Sequence, residues 1–148
     1  MAQLFERFLF RFYQHELQGY TVAAPHLAWN ATGGAEALAY LPGMRTDIVL
    51  RNSERVVVID AKYYSNTLSE HFGKATVHSR HMYQMFAYMQ HLAIRNETKE
   101  VSGILLYPRT TQTVRASLKI FDYPFTAATV DLAQPWQSIQ GDLLALVN

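Results

Sequence analysis

Four consecutive β-branched residues, Val56, Val57, Val58 and Ile59, run directly into Asp60-Ala61-Lys62, and no other stretch limits the fold as tightly. β-Branched side chains favour extended backbone. An apolar run that does not alternate has no face to give to water, so this strand must lie inside a sheet covered on both sides. Such a sheet needs further strands beside it and helices above and below. The chain can supply them, because 148 residues that are 49% hydrophobic suffice for one domain around one core. With only 17% charged residues it is not a disordered or solvating chain. No apolar run reaches the length of a bilayer crossing, and residues 1–13 are interrupted by Glu6, Arg7 and Arg11, unlike a secretory leader. The absence of cysteine excludes disulfides and thiolate chemistry, and a cytoplasmic location is expected.

The remaining segments divide by period. Leu4, Phe5, Phe8, Leu9, Phe12 and Leu17 recur at helical spacing and predict a first helix ending near Gly19, with Glu6 at the margin of its apolar arc. Residues 22–29 read as extended chain broken at Pro25, 30–34 as a turn, and 37–41 as a returning strand before Pro42-Gly43. Residues 44–50 and 56–62 form a hairpin around the polar 51–55. A polar loop follows over 63–76. Residues 78–95 carry Met82, Met85, Phe86, Met89, Leu92 and Ala93 at helical spacing, and that methionine stripe reads as core. Residues 101–107 are a strand ended by Pro108, 114–121 an outer strand, and 135–147 a closing helix with Pro135 in its first turn. The order predicts an α/β domain with a central mixed sheet flanked by helices.

Along the second strand of the hairpin, Asp60 and Lys62 share a face and Ala61 points the other way. If Ser53-Glu54 is a two-residue turn, Asn52 pairs with Arg55 and Asp47 falls opposite Asp60, with β-carbons about 5 Å apart. Two opposed carboxylates repel one another. A hard divalent cation removes the conflict, and magnesium held by two carboxylates keeps waters that leave room for a phosphate oxygen and an attacking water. Lys62 beside the ion would stabilise the negative charge of a phosphodiester transition state. This set suits phosphodiester hydrolysis and suits acyl transfer poorly, since no poised nucleophile is evident. The plain alternative is a salt-bridged patch at a strand end. Against it stands the apolar run leading into Asp60, because charge at the end of a buried strand is costly without a partner. Gln84 and Tyr88, four apart on one helical face, either contact phosphate or form a half-buried polar edge.

A net charge of +1 means that any nucleic-acid contact is local rather than spread over a basic surface. Lys74, Arg80, Arg95, Arg109 and Arg115 are candidates to flank the cleft and contact DNA backbone, against the plain reading that isolated basic residues are solvated. His78 or His81 is a candidate phosphate contact, and of all these Lys74, Arg80 and His81 are the predicted DNA-binding set. The six histidines contain no compact ligand pair such as His-Glu-x-x-His.

Asp47, then Asp60-Ala61-Lys62 at the end of an apolar strand, then Gln84-x-x-x-Tyr88 on the next helix resemble the PD-(D/E)XK nuclease superfamily. More closely, Leu4-Phe-Glu-Arg-Phe8, Leu41-Pro-Gly-Met-Arg-Thr-Asp-Ile48 and Ile59-Asp-Ala-Lys-Tyr-Tyr64 resemble the catalytic domain of the McrC family, over residues 4–107. McrC is the endonuclease subunit of modified-cytosine restriction systems. The resemblance implies a restriction-endonuclease-like core and DNA as substrate. It implies Mg2+, with Mn2+ able to substitute, held by Asp47, Asp60 and the Ala61 carbonyl. Lys62 is then catalytic, with Glu6, Gln84 and Tyr88 in support. It also implies a McrB-like AAA+ GTPase as motor partner; this sequence itself contains no Walker-type phosphate loop. McrC proteins carry a further N-terminal motor-docking region, whereas residues 1–148 read as a single nuclease domain without it. One site cuts one strand, so double-strand cleavage calls for a homodimer or recruitment by a partner. Two other readings stay open: a structure-specific or RecB-like nuclease, and a nuclease-derived DNA-binding or assembly module without turnover.

Overall fold

The computed structural model describes residues 1–63, 68–71, 74–96 and 98–148. At its centre is strand β5 (Arg55–Ala61), in which Val56, Val57, Val58, Ile59 and Asp60 are all buried. Side-chain alternation divides this run between two cores. Val57 and Ile59 face one core, shared with Phe5, Leu9, Phe12 and Tyr13 of helix α1 (Ala2–Glu16) and with Ile139 and Leu143 of helix α4 (Trp136–Ala145). Val56 and Val58 face the other, where helix α3 (Ser79–Arg95) contributes Met85, Tyr88, Met89 and Leu92. The methionine stripe is therefore core, as its spacing predicts.

Six strands lie side by side in the order β1 (Thr21–Ala23), β4 (Ile48–Arg51), β5, β8 (Glu100–Pro108), β10 (Tyr123–Val130) and β9 (Arg115–Ile120). β1, β4 and β5 are antiparallel neighbours, β5, β8 and β10 are parallel, and β9 runs antiparallel to β10 on the outer edge. The parallel β5–β8 pair requires a crossover, and α3 lies on that connection. This is the expected α/β architecture, a central mixed sheet flanked by helices. Two short strand pairs stand apart from it, β2 (His26–Leu27) with β3 (Met44–Arg45) and β6 (Leu68–His71) with β7 (Lys74–Val77).

Four local expectations are corrected. Residues 37–41 do not form a strand. A short helix α2 (Ala35–Leu38) stands there, and residues 31–43 are exposed throughout, so good helix formers meet no strand to pair with. The expected loop over 63–76 contains the β6–β7 hairpin. β10 enters between β8 and the predicted outer strand, its pattern disguised by Pro124 and by the small Ala127 and Ala128, both buried. Leu4, counted with the core arc of α1, is 61% exposed.

The close seat of α3 depends on a residue without a side chain. A Cβ on Gly103 of β8 would lie 2.5 Å from Met85 Sδ and 2.7 Å from Met89 Sδ. Gly103→Val is expected to force α3 off the sheet and to destabilise the domain by about 1–3 kcal/mol. The measurement is a lower urea midpoint at unchanged slope. A midpoint equal to wild type would show that α3 repacks freely.

Candidate functional site

The β4–β5 hairpin sets the acids. Asn52 N–H donates to the Arg55 carbonyl at 3.1 Å, and Asn52 Oδ1 accepts from the N–H groups of Glu54 and Arg55 at 2.9 and 2.8 Å. This closes a two-residue turn at Ser53-Glu54 and pairs Arg51 with Val56 and Ile48 with Ile59. One more step in that register sets Asp47 opposite Asp60. Asp47 alternates with Val49 and Asp60 with Val58, and both valines lie in the α3-side core, so the two acids share the α3 face.

Their contacts are specific. Asp47 Oδ2 accepts the Ala61 N–H at 2.9 Å. Asp60 is 2% exposed, and its Oδ2 lies 2.7 Å from Lys62 Nζ. Lys62 Nζ donates to Gln84 Oε1 at 2.5 Å, Gln84 Nε2 donates to the Tyr88 hydroxyl at 2.7 Å, and that hydroxyl donates to the Arg45 carbonyl at 2.5 Å. Arg45 Nη2 in turn meets Glu6 Oε1 at 2.8 Å. Asp47, Asp60, Lys62, Gln84 and Tyr88 thus come together, and Glu6 joins them through Arg45. Ala61 turns its side chain to the α1-side core and gives its N–H to Asp47.

The electrostatics follow from burial. Desolvation pushes Asp47 up to about 6, with the neighbouring Asp60 charge adding to it and Lys62 opposing. Asp60 is also held above the usual carboxylate range by burial, against the pull of Lys62. Glu6 shifts upward by burial and by the charge of Asp47, with Arg45 opposing. Burial likewise pushes the Tyr88 hydroxyl up to about 12. One ammonium inside the site does not offset the acids, so the arrangement favours an added proton or an added cation.

The donor set fits a hard cation. Asp60 Oδ2 is buried and takes no hydrogen bond, leaving only its ion pair with Lys62. Two carboxylates without thiolate or imidazole are the ligands that magnesium accepts while keeping its waters. Among the described residues no group of three or more His, Asp or Glu side chains is placed to enclose an ion. A magnesium ion held by two carboxylates and its own waters would not need one.

The expected DNA contacts divide. Arg80 is exposed in the first turn of α3, and the side chain of Lys74 lies outside the described residues. His81 is a correction: it is 2% exposed, with Nδ1 2.8 Å from the Tyr107 hydroxyl. Burial lowers it to about 4, so it meets neutral pH uncharged and inside the fold rather than as a surface cation. Sequence reasoning passed over Arg45. Its available signal was its position two residues before Asp47, on the same side of an extended chain.

Residues 1–108, which include every residue of this site, match the family model described as McrBC, 5-methylcytosine restriction system component. The chain is also similar to the type IV methyl-directed restriction enzyme EcoKMcrBC of Escherichia coli (strain K12), at 34% identity over 149 aligned positions. That alignment covers 100% of this chain and 42% of the relative, so the chain spans less than half of the relative's length. Among the described residues no helix is long and apolar enough to cross a membrane.

Proposed function

The chain belongs to the family of McrBC 5-methylcytosine restriction-system components, and from that premise we propose that it is a McrC-like, magnesium-dependent endonuclease hydrolysing DNA phosphodiester bonds. The observation that carries this reading is the half-buried Asp47 opposed to the buried Asp60, with the Lys62 ammonium 2.7 Å from Asp60. Held by Asp47 and Asp60, magnesium (or manganese in its place) would polarise the phosphate and acidify a bound water.

The other residues prepare that site. Lys62 directs its charge to where negative charge grows on the phosphate. Gln84 fixes the ammonium, and Tyr88 ties Gln84 to the β3 backbone, so the lysine is aimed before substrate arrives. Glu6 holds Arg45 at the mouth. Lys74 and Arg80 are the proposed backbone contacts outside it. The proposed partner is a McrB-like AAA+ GTPase, from which any dependence on modified cytosine would come, and a second copy of this chain would cut the opposite strand.

The test is nicking of supercoiled plasmid with Mg2+ or Mn2+. Asp60→Asn removes the charge with little change in shape and is expected to lower the rate on the order of 100-fold or more. Equal nicking by wild type and Asp60→Asn would remove the nuclease reading.

A further inference from the structure

Arg45 stands on an unusually well-fixed backbone. Its strand β3 pairs with β2, with Arg45 opposite His26. The next residue, Thr46, donates both its N–H (3.2 Å) and its hydroxyl (2.6 Å) to the Pro25 carbonyl. The Arg45 carbonyl accepts the Tyr88 hydroxyl that ends the Lys62–Gln84–Tyr88 chain. The side chain is delivered outward from this pedestal, 62% exposed, while its partner Glu6 is 23% exposed. An exposed arginine–glutamate pair adds little stability, so stability does not account for so much backbone anchoring.

Charge supplies an account. The partly exposed Glu6 and Asp47 stand in front of the buried Asp60, three carboxylates in one site, and Lys62, 16% exposed, is committed to Asp60 and Gln84. A phosphodiester approaching such a mouth is repelled unless an accessible cation meets it. The guanidinium has five N–H donors in a planar fork suited to phosphate oxygens. Among the described residues, Glu6 takes a single contact from it, at Nη2.

We propose that Arg45 is a phosphate-binding residue of this site, its guanidinium aimed by Glu6 to take a non-bridging oxygen of the DNA backbone beside the cut. The proposal rests on the nuclease reading, and its test does not use cleavage. Binding of a fluorescein-labelled duplex to the full chain is measured by anisotropy in EDTA between 50 and 200 mM KCl, for wild type, Arg45→Ala, Arg45→Gln and Arg45→Lys. Losing one phosphate contact makes the slope of log affinity against log salt shallower by roughly 0.9. That change is expected in Arg45→Ala and Arg45→Gln, and Arg45→Lys is expected to keep the wild-type slope. Both neutral variants retain the backbone carbonyl that receives Tyr88, and Gln retains a donor for Glu6. A wild-type slope in both neutral variants overturns the Arg45 assignment alone. A wild-type chain that binds no duplex also overturns the Arg45 assignment, while the nuclease reading stands or falls on plasmid nicking.

Discussion

Replacing Lys62 by methionine is expected to lower DNA cleavage on the order of 100- to 1,000-fold while keeping most of the side chain's volume. The ammonium lies 2.7 Å from Asp60 and is the positive group inside the site. Its removal also leaves the buried Asp60 without its ion-pair partner, which gives the same variant a second signature. Asp60 already sits above its ordinary range through burial, and Lys62 is what restrains it. Without Lys62 the folded-state value rises further from the unfolded one, so the native state loses stability as pH climbs and Asp60 is forced to ionise. The loss is expected to be small at pH 5 and about 1–3 kcal/mol at pH 8, measured by urea unfolding at both. An equal loss at the two pH values would show that Lys62 stabilises through packing and not through Asp60. Undiminished cleavage would remove it from the chemistry.

Asp47→Asn is expected to give a more stable protein that does not cut. Asparagine keeps an oxygen for the Ala61 N–H and gains a donor toward Asp60, so that hydrogen bond survives while the charge goes. The sign follows from the raised value. Asp47 titrates at about 6 in the fold against 3.8 as its model value, so its favourable contribution is complete below about 3.8 and is lost as pH rises through 6. In metal-free protein the substitution is therefore neutral near pH 4 and stabilising at pH 8, on the order of 2 kcal/mol. Urea midpoints across that range measure it. A variant less stable than wild type at pH 8 would mean that the carboxylate does more for the fold than its repulsion takes away. Stability given up at a functional site is the expected bargain.

The part of this site carried by local sequence was legible. The apolar run required a strand buried on both faces, and counting outward from Ser53-Glu54 matched the observed hairpin register, hence the opposition of Asp47 and Asp60. Helical spacing put Gln84 and Tyr88 on one line of α3. What sequence did not carry was how separate elements meet. The approach of α3 is allowed by Gly103, forty-one residues after Lys62, and only that approach brings Gln84 to the ammonium. The pairing of Arg45 with Glu6 joins positions thirty-nine apart. His81 looked like a surface cation because its helix position is polar by composition, yet Tyr107 of β8 closes over it. β10 was not legible because alanine is a weak signal by itself, and Ala127 and Ala128 become core only where the sheet is covered on both faces.

Manganese binding measured by titration calorimetry, on wild type, Asp47→Asn and Asp60→Asn, bears most directly on the opposed acids as a divalent-cation site. The wild-type chain should show saturable binding that strengthens from pH 5.5 to 7.5, as the proton on the Asp47–Asp60 pair ceases to compete. Both variants should lose it. Saturable heat of wild-type size in either variant, or none in the wild type, would contradict the account.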